Sequence, residues 1–223
     1  DNYEQVGEIL VVGKWADAAL SPSEKVRYID TVEPVNASRA RNIGLDRAQH
    51  EVIIFLDSDC LPQLFWLSEH LSAHGSGQAV VGGGVEASGD GYWRLIYNLT
   101  MFHEFLSELP RGERKYLPTL NLSARSGVFE AIGGFDESLE RAQDIDWTVR
   151  ASKAGYQPKF WPSAVVRHYH DRNTFRSVWR DCARSGYFMR HVRLSHSQSL
   201  HAPWWLRFPR FILIAAPAIA SAV

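Results

Sequence analysis

The chain has 223 residues, 45% of them hydrophobic, 12% aromatic and 22% charged; this is too apolar for a disordered segment and enough to bury one sizeable core. Its 24 basic and 25 acidic side chains give a formal net charge of -1, so no global positive excess marks a nucleic-acid binder. Two cysteines, Cys60 and Cys182, cannot build a disulfide framework, and with no signal peptide at Asp1 the chain reads as cytoplasmic, with both thiols as small buried groups.

The elements follow in chain order. Ile9 to Gly13 is a short β-branched run that predicts a buried strand, and Val26 to Ile29 a second. Asn36 or Ser38 caps a helix through Ala48, with Ala40, Ile43, Gly44 and Ala48 on its packed face. Glu51 to Leu56 is the most hydrophobic strand and runs straight into Asp57-Ser58-Asp59, after which Pro62 opens a helix to about Leu71. Ala79 to Val85 is a strand whose three glycines admit a close neighbour, another backbone or a ligand. Tyr92 to Leu106 reads as an aromatic helix, and Glu108 to Tyr116 as a charged loop. The sequon at Asn98 carries no weight in a cytoplasmic chain. Phe160 to His168 is a late strand, and Phe175, Val178, Trp179, Cys182, Ala183, Gly186 and Tyr187 trace a helical apolar stripe. Strands alternating with helices predict an α/β fold with a mostly parallel sheet flanked by helices.

The near-neutral average hides a split. Nine arginines face two aspartates between Arg167 and Arg210, so the remaining 15 basic and 23 acidic residues leave the rest of the chain acidic. Arg172, Arg176, Arg180 and Arg184 stand four apart, either as a solvated helix face or as a row drawn to lipid phosphate. Beyond them Trp204 and Trp205 beside Arg207 and Arg210 match a membrane-interface flank, and the uncharged run 211–223 reads as the start of a transmembrane or re-entrant helix, being shorter than the roughly 20 residues of a full span. The alternative is a buried C-terminal helix. The organisation expected is a catalytic domain over 1–202 and a membrane-interface segment over 203–223.

Three clusters carry chemistry. Asp57 and Asp59 leave the carboxyl end of a central strand, where open α/β sheets place ligands and where two carboxylates can hold a divalent cation; capping of the next helix is the plainer role. Gln143-Asp144-Ile145-Asp146 puts carboxylates at a helix N-terminus, whose dipole favours the ionised form a general base needs. His168 and His170 share one face at a strand end and are candidate metal ligands, with no partners at zinc-finger spacing.

In this order, A-R-N-x-G-L from Ala40, D-x-D from Asp57, N-L-S-A-R from Asn121, G-G-F-D-E from Gly133, Q-D-I-D-W from Gln143 and H-Y-H from His168, the chain resembles the inverting glycosyltransferases of family 2, with the GT-A fold. The resemblance implies a nucleoside-diphosphate sugar donor, Mg2+ or Mn2+, and displacement at the anomeric carbon; the acceptor expected is a hydroxyl of a glycan or lipid-linked molecule, and the Trp-Arg flank with the cysteine usage sets the expected place at the cytoplasmic face of a membrane. It assigns the metal to Asp59 and His168, with Asp57 and His170 as alternates. Asp144 is the expected base, with Asp146 the alternate. Arg39, Arg41, Asn42, Asp57, Asn121 and Arg125 are expected around the nucleotide-sugar. Two departures stand out: Gly13-Lys14-Trp15-Ala16-Asp17 occupies the place of an acidic pair, and Gln143 stands where the family often has Glu. A sugar nucleotidyltransferase and a degenerate donor-binding domain are the rival readings.

Overall fold

The computed structural model describes residues 3–14, 24–86 and 91–202. Strands β1 (Ile9–Gly13) and β2 (Val26–Asp30) pair in parallel, and α1 (Ala37–Leu45) packs on them through Gly44, 3.6 Å from the Val12 side chain were it to carry a Cβ. The Asn36 side chain accepts from Arg39 N at 2.9 Å, a cap worth about 1 kcal/mol that fixes where α1 begins.

The larger sheet comprises β3 (Val52–Leu56), β4 (Cys60–Pro62), β5 (Val80–Val85), β6 (Gly112–Glu113), β7 (Asn121–Arg125) and β8 (Pro158–His168), in the order β3-β7-β5-β8-β4 with β6 also on β8. Helices α2 (Trp66–Gly75), α3 (Tyr92–Phe102), α4 (Ser126–Ile132), α5 (Gln143–Lys153) and α6 (Phe175–Ser195) accompany it. The expected α/β architecture is present, but the sheet is mixed rather than mostly parallel. β5 and β8 run parallel, whereas β7 lies antiparallel to both β3 and β5, and β4 and β6 run antiparallel to β8. Hydropathy fixes burial, not direction, so N-L-S-A-R gave no sign of a reversed strand.

Pro62 does not open a helix. It ends β4 at the sheet edge, opposite Val166, where a missing N–H costs least, and α2 starts only at Trp66 after Phe65 at φ 67°. The helix from Tyr92 stops at Phe102, because Phe105 and Leu106 turn back to pair with Val85. The Trp204–Trp205 flank, the apolar run after it and Asp17 lie outside the described residues; among the described residues no helix is long and apolar enough to cross a membrane.

One polar node ties the layers together. Asn121 is fully buried, its Oδ1 accepting from Trp66 Nε1 (2.8 Å) and His70 Nε2 (2.9 Å). Its Nδ2 donates to Gly84 O (3.0 Å) and Ala164 O (2.7 Å), across the register shift that Pro162 introduces into β8. A Cβ at Gly83 would overlap both this amide and the Ala164 carbonyl, so the close neighbour expected at the glycine run is backbone and Asn121, not a ligand. His70 continues through Ser123 Oγ to His74 at 2.8 Å each, and His74 Nδ1 meets Gln78 O. With neutral rings, two imidazoles and one hydroxyl supply three protons for the four gaps between Gln78 O and Asn121 Oδ1.

Burial lowers His70 to about 4, the bond to Asn121 opposing the shift, and lowers His74 in the same direction. As pH falls below the ordinary histidine value of 6.5, the unfolded chain takes up protons that the native core refuses. Stability present above 6.5 is therefore lost down to about 4, and the His70 shift corresponds to about 3 kcal/mol. Urea denaturation at pH 7 and pH 4.5 should show that loss, with a shallower pH slope in a His70→Asn variant. Gly83→Ala should cost about 3 kcal/mol in the same assay, since a carbonyl cannot move aside as a side chain can.

Candidate active site

β3 ends at Leu56 and delivers Asp57 and Asp59 to the rim of the sheet. The β4–β8 register sets Cys60 opposite His168, and Tyr169 N donates to Asp59 O at 2.7 Å, so His168 Nε2 lies 3.4 Å from Asp59 Oδ2. On its far side His168 Nδ1 donates to Asn98 Oδ1 at 2.9 Å, while Asn98 Nδ2 donates back to His168 O at 3.4 Å. The bond to Asn98 holds a proton on Nδ1 and turns Nε2 towards the Asp59 carboxylate, the orienting part that a second partner plays for a metal-binding imidazole. Burial pushes the Asp59 carboxyl up, but the hydrogen bond and charge of His168 outweigh it, and the group rests below the ordinary carboxylate value.

These residues fit a divalent cation. Asp59, Cys60 and His168 present ligand atoms within 4.8 Å of one another. Burial, with Asp57 and Asp59 alongside, pushes the Cys60 thiol up strongly, and Asp59 and His168 add a carboxylate oxygen and an imidazole nitrogen as donors. A carboxylate oxygen and an imidazole nitrogen together suit a divalent cation. His170, the alternate ligand, is placed otherwise: its Nδ1 accepts from Arg172 N at 3.1 Å, its ring packs 4.6 Å from that of Tyr97, and burial holds it down at about 4.

Arg41 links the two acidic clusters. Its Nη2 contacts Asp57 Oδ1 at 2.6 Å, its charge reaches Asp144, and its Nη1 is buried with no hydrogen-bond partner among the described residues. Asp144 sits in the first turn of α5, partly buried, accepting from Ile145 N (2.9 Å) and Thr119 N (3.3 Å). The helix dipole does not decide its state: burial raises its pKa, and Arg41 and the two N–H groups only partly offset that. The result is a more basic carboxylate than an exposed one. Asp146 points elsewhere, held by Arg150 Nε at 2.9 Å and His196 Nε2 at 2.7 Å, which removes it as an alternate base.

Several expected donor contacts belong to the scaffold instead. Asn121 has its whole amide occupied in the core, as described. Asn42 Oδ1 accepts from Phe135 N (2.8 Å) and its Nδ2 donates to Phe135 O (2.9 Å) and Glu137 Oε1 (3.0 Å), with Gly134 so close that no Cβ fits. Together with Asn36 Nδ2 on Glu137 O and Ser38 Oγ on Leu139 O, this clamps 135–139 to α1 and sets the approach to α5. Arg39 is exposed and meets Glu137 at 3.8 Å. Arg125 lies at the opposite end of β7, opposite Val52, paired with Glu51 and donating to His74 O at 2.8 Å, because five strand residues separate it from the site rim. Lys14, in place of an acidic residue, meets Glu33 at 3.6 Å. The contact the sequence hid is Asn98, read only as a sequon, whose partner lies 70 positions away.

The family model for Glycosyl transferase family 2 matches residues 13–136, more than half of the chain. The chain belongs to glycosyltransferase family 2. It is 33% identical over 130 residues to the glycosyltransferase AglE of Haloferax volcanii, covering 58% of this chain and 43% of that protein. It is 31% identical over 139 residues to the pre-mycofactocin glycosyltransferase of Mycobacterium tuberculosis, covering 59% and 29%. The chain thus spans under half the length of either relative. Among solved structures, a mannosyltransferase from Pyrobaculum calidifontis in complex with GDP-Man and Mn2+ superposes with a TM-score of 0.62 at 16% identity, over 96% of this chain and 65% of that one. S. aureus TarS 1-349 in complex with UDP-GlcNAc gives 0.59 at 15%, over 94% and 62%. The fold of this family 2 chain is accordingly GT-A, as its motifs imply.

Asn98→Ala frees His168 to rotate and to change tautomer. Mn2+ affinity, titrated by electron paramagnetic resonance, should fall about 10- to 100-fold. Asp59→Asn should remove the binding.

Proposed function

We propose that this chain is the catalytic domain of a metal-dependent inverting glycosyltransferase that moves a sugar from a nucleoside diphosphate to a hydroxyl of a glycan or lipid-linked acceptor, at the cytoplasmic face of a membrane. One observation carries the reading: Arg41 joins Asp57, beside the Asp59–His168 pair, to the half-buried Asp144, so a cation-holding group and a basic carboxylate share one site. Family membership and the nucleotide-sugars bound by the two structural neighbours support it. The membrane placement is supported by the Trp-Arg flank and apolar run that follow residue 202.

The division of labour follows from environment. Asp59 and His168 would hold Mn2+ or Mg2+, which when bound supplies Lewis-acid neutralisation of a leaving diphosphate. Asp57, fixed by Arg41, is offered to the ribose or base, and the unpartnered Nη1 of Arg41 is a ready donor to an anionic oxygen. Asp144 takes the proton from the acceptor hydroxyl as that oxygen bonds to the anomeric carbon. The bond from that carbon to the diphosphate oxygen breaks, and its electron pair leaves with the nucleotide. A single displacement inverts the anomeric centre, and burial of Asp144 makes its carboxylate a better base.

The test is turnover of nucleotide-sugars by the complete protein. Chelation should abolish product, added Mn2+ should restore it, and proton NMR of the new linkage should show the opposite anomer from the donor. Asp144→Asn should lower kcat by about 10²- to 10⁴-fold while leaving thermal stability intact. Because the base must be ionised and its pKa is raised, the acid limb of the rate profile should fall above the ordinary carboxylate range. Donor binding with no product in the wild type would favour a degenerate binding domain.

A further inference from the structure

We propose that a basic cavity beside the N-terminal half of α6 is a second phosphate site, which takes the phosphate of a lipid-linked acceptor; the identity of the bound molecule as an acceptor rests on the reading above. The cavity, about 450 Å³, is lined by Asp171, Arg172, Ser177, Arg180, Asp181 and Arg184. Its central carboxylate is already spent. Asp181 accepts from Tyr97 Oη at 2.6 Å and Arg141 Nη2 at 2.5 Å and lies 3.6 Å from Arg172, so it gathers guanidinium groups instead of repelling an anion. Arg184 is paired with Glu140, whereas Arg180 is exposed and has no ion-pair or hydrogen-bond partner among the described residues. A solvated arginine row would not need this organisation: the Arg172 side chain is only 22% exposed and packs over the Tyr97 ring at 5.1 Å. Planar guanidinium groups converging on one cavity match phosphate oxygens.

Position argues for an acceptor. Arg172 is two residues past His170, donates its N–H to that ring at 3.1 Å and bears by charge on Asp59, and Arg141 lies one residue before the N-cap of the helix that carries Asp144. An apolar rest for a lipid tail lies on the same helix. Phe175, Trp179 and Tyr187 are 57%, 44% and 60% exposed, and Trp93 of α3 meets the Phe175 ring at 5.6 Å. A molecule with a phosphate head and a prenyl-like tail uses both features, whereas a free glycan uses neither the guanidinium groups nor so large an apolar surface.

The experiment titrates the full chain with farnesyl monophosphate, farnesol and inorganic phosphate by calorimetry, in chelator so that the Asp59–His168 pair cannot contribute. Farnesyl monophosphate should bind at least 10-fold tighter than either other probe, and Arg180→Glu should weaken it at least 10-fold with an unchanged melting temperature. Equal binding of inorganic phosphate would overturn the lipid assignment, as would displacement of the probe by phosphatidylglycerol vesicles that contain no acceptor. Unchanged affinity in Arg180→Glu, or no binding at all, would overturn the site. Nucleotide-sugar binding with Mn2+ is measured separately: its absence beside intact farnesyl monophosphate binding would sink the transferase reading and leave the phosphate site standing.

Discussion

The carboxamide of Asn121 is the constraint on which the architecture turns. Its two acceptances and two donations join α2, β5, β7 and β8 at a point where the β5–β8 ladder breaks around Pro162. A buried amide with all four bonds made is rigid and specific, while one with any bond missing is costly, so the neighbours have little freedom to shift. Gly83 of β5 follows from it, since a side chain there would occupy the space the amide needs, whereas Gly82 makes room for Leu117 and Gly84 for the Pro162 carbonyl. Asn121 is also opposite Leu56, the last residue before the D-x-D, so the same amide fixes the rim where the acidic residues emerge.

The family motifs make physical sense as pairs. A-R-N-x-G-L and G-G-F-D-E lie 93 residues apart in the chain and meet in the fold: Asn42 holds the Phe135 backbone from both sides, and Gly134 clears room for it. The middle arginine of the first motif, Arg41, instead faces the D-x-D. One helix turn therefore serves two purposes, gripping the loop before α5 with one residue and orienting the acidic strand end with its neighbour. Trp147 does the same from α5, donating to Gly133 O at 3.0 Å and stacking on Phe129 at 4.5 Å.

Most strands and the long helices were legible in the sequence because their signals are local. Val52 to Leu56 is an unbroken apolar run, Asn36 is a cap, and Phe175 onward repeats with helical period. β4 and β6 were not, being three and two residues long with no room for a pattern, and neither was β7, whose apolar run is broken by the buried Asn121 and Ser123. Among site residues, Asp57, Asp59, Asp144, His168 and Arg41 come together as their motifs suggest. Asn42, Asn121 and Arg125 do not face the site, because a polar residue in a motif looks the same whether it meets a ligand or a backbone. Asn98 and the Asp181 cluster were invisible for the converse reason: their partners are distant in sequence and joined only by the fold.

Asp59 and His168 are contributed by adjoining stretches of an edge pair in which one strand is three residues long and ends in proline. Such an edge has few bonds of its own to keep it closed. Any ion bridging the two side chains acts as a rivet across that seam, and by linkage the seam's closure strengthens the ion's grip. Loading the site and stiffening the rim of the sheet are then one event, so the chain gains its firmest edge at the moment it is ready for substrate.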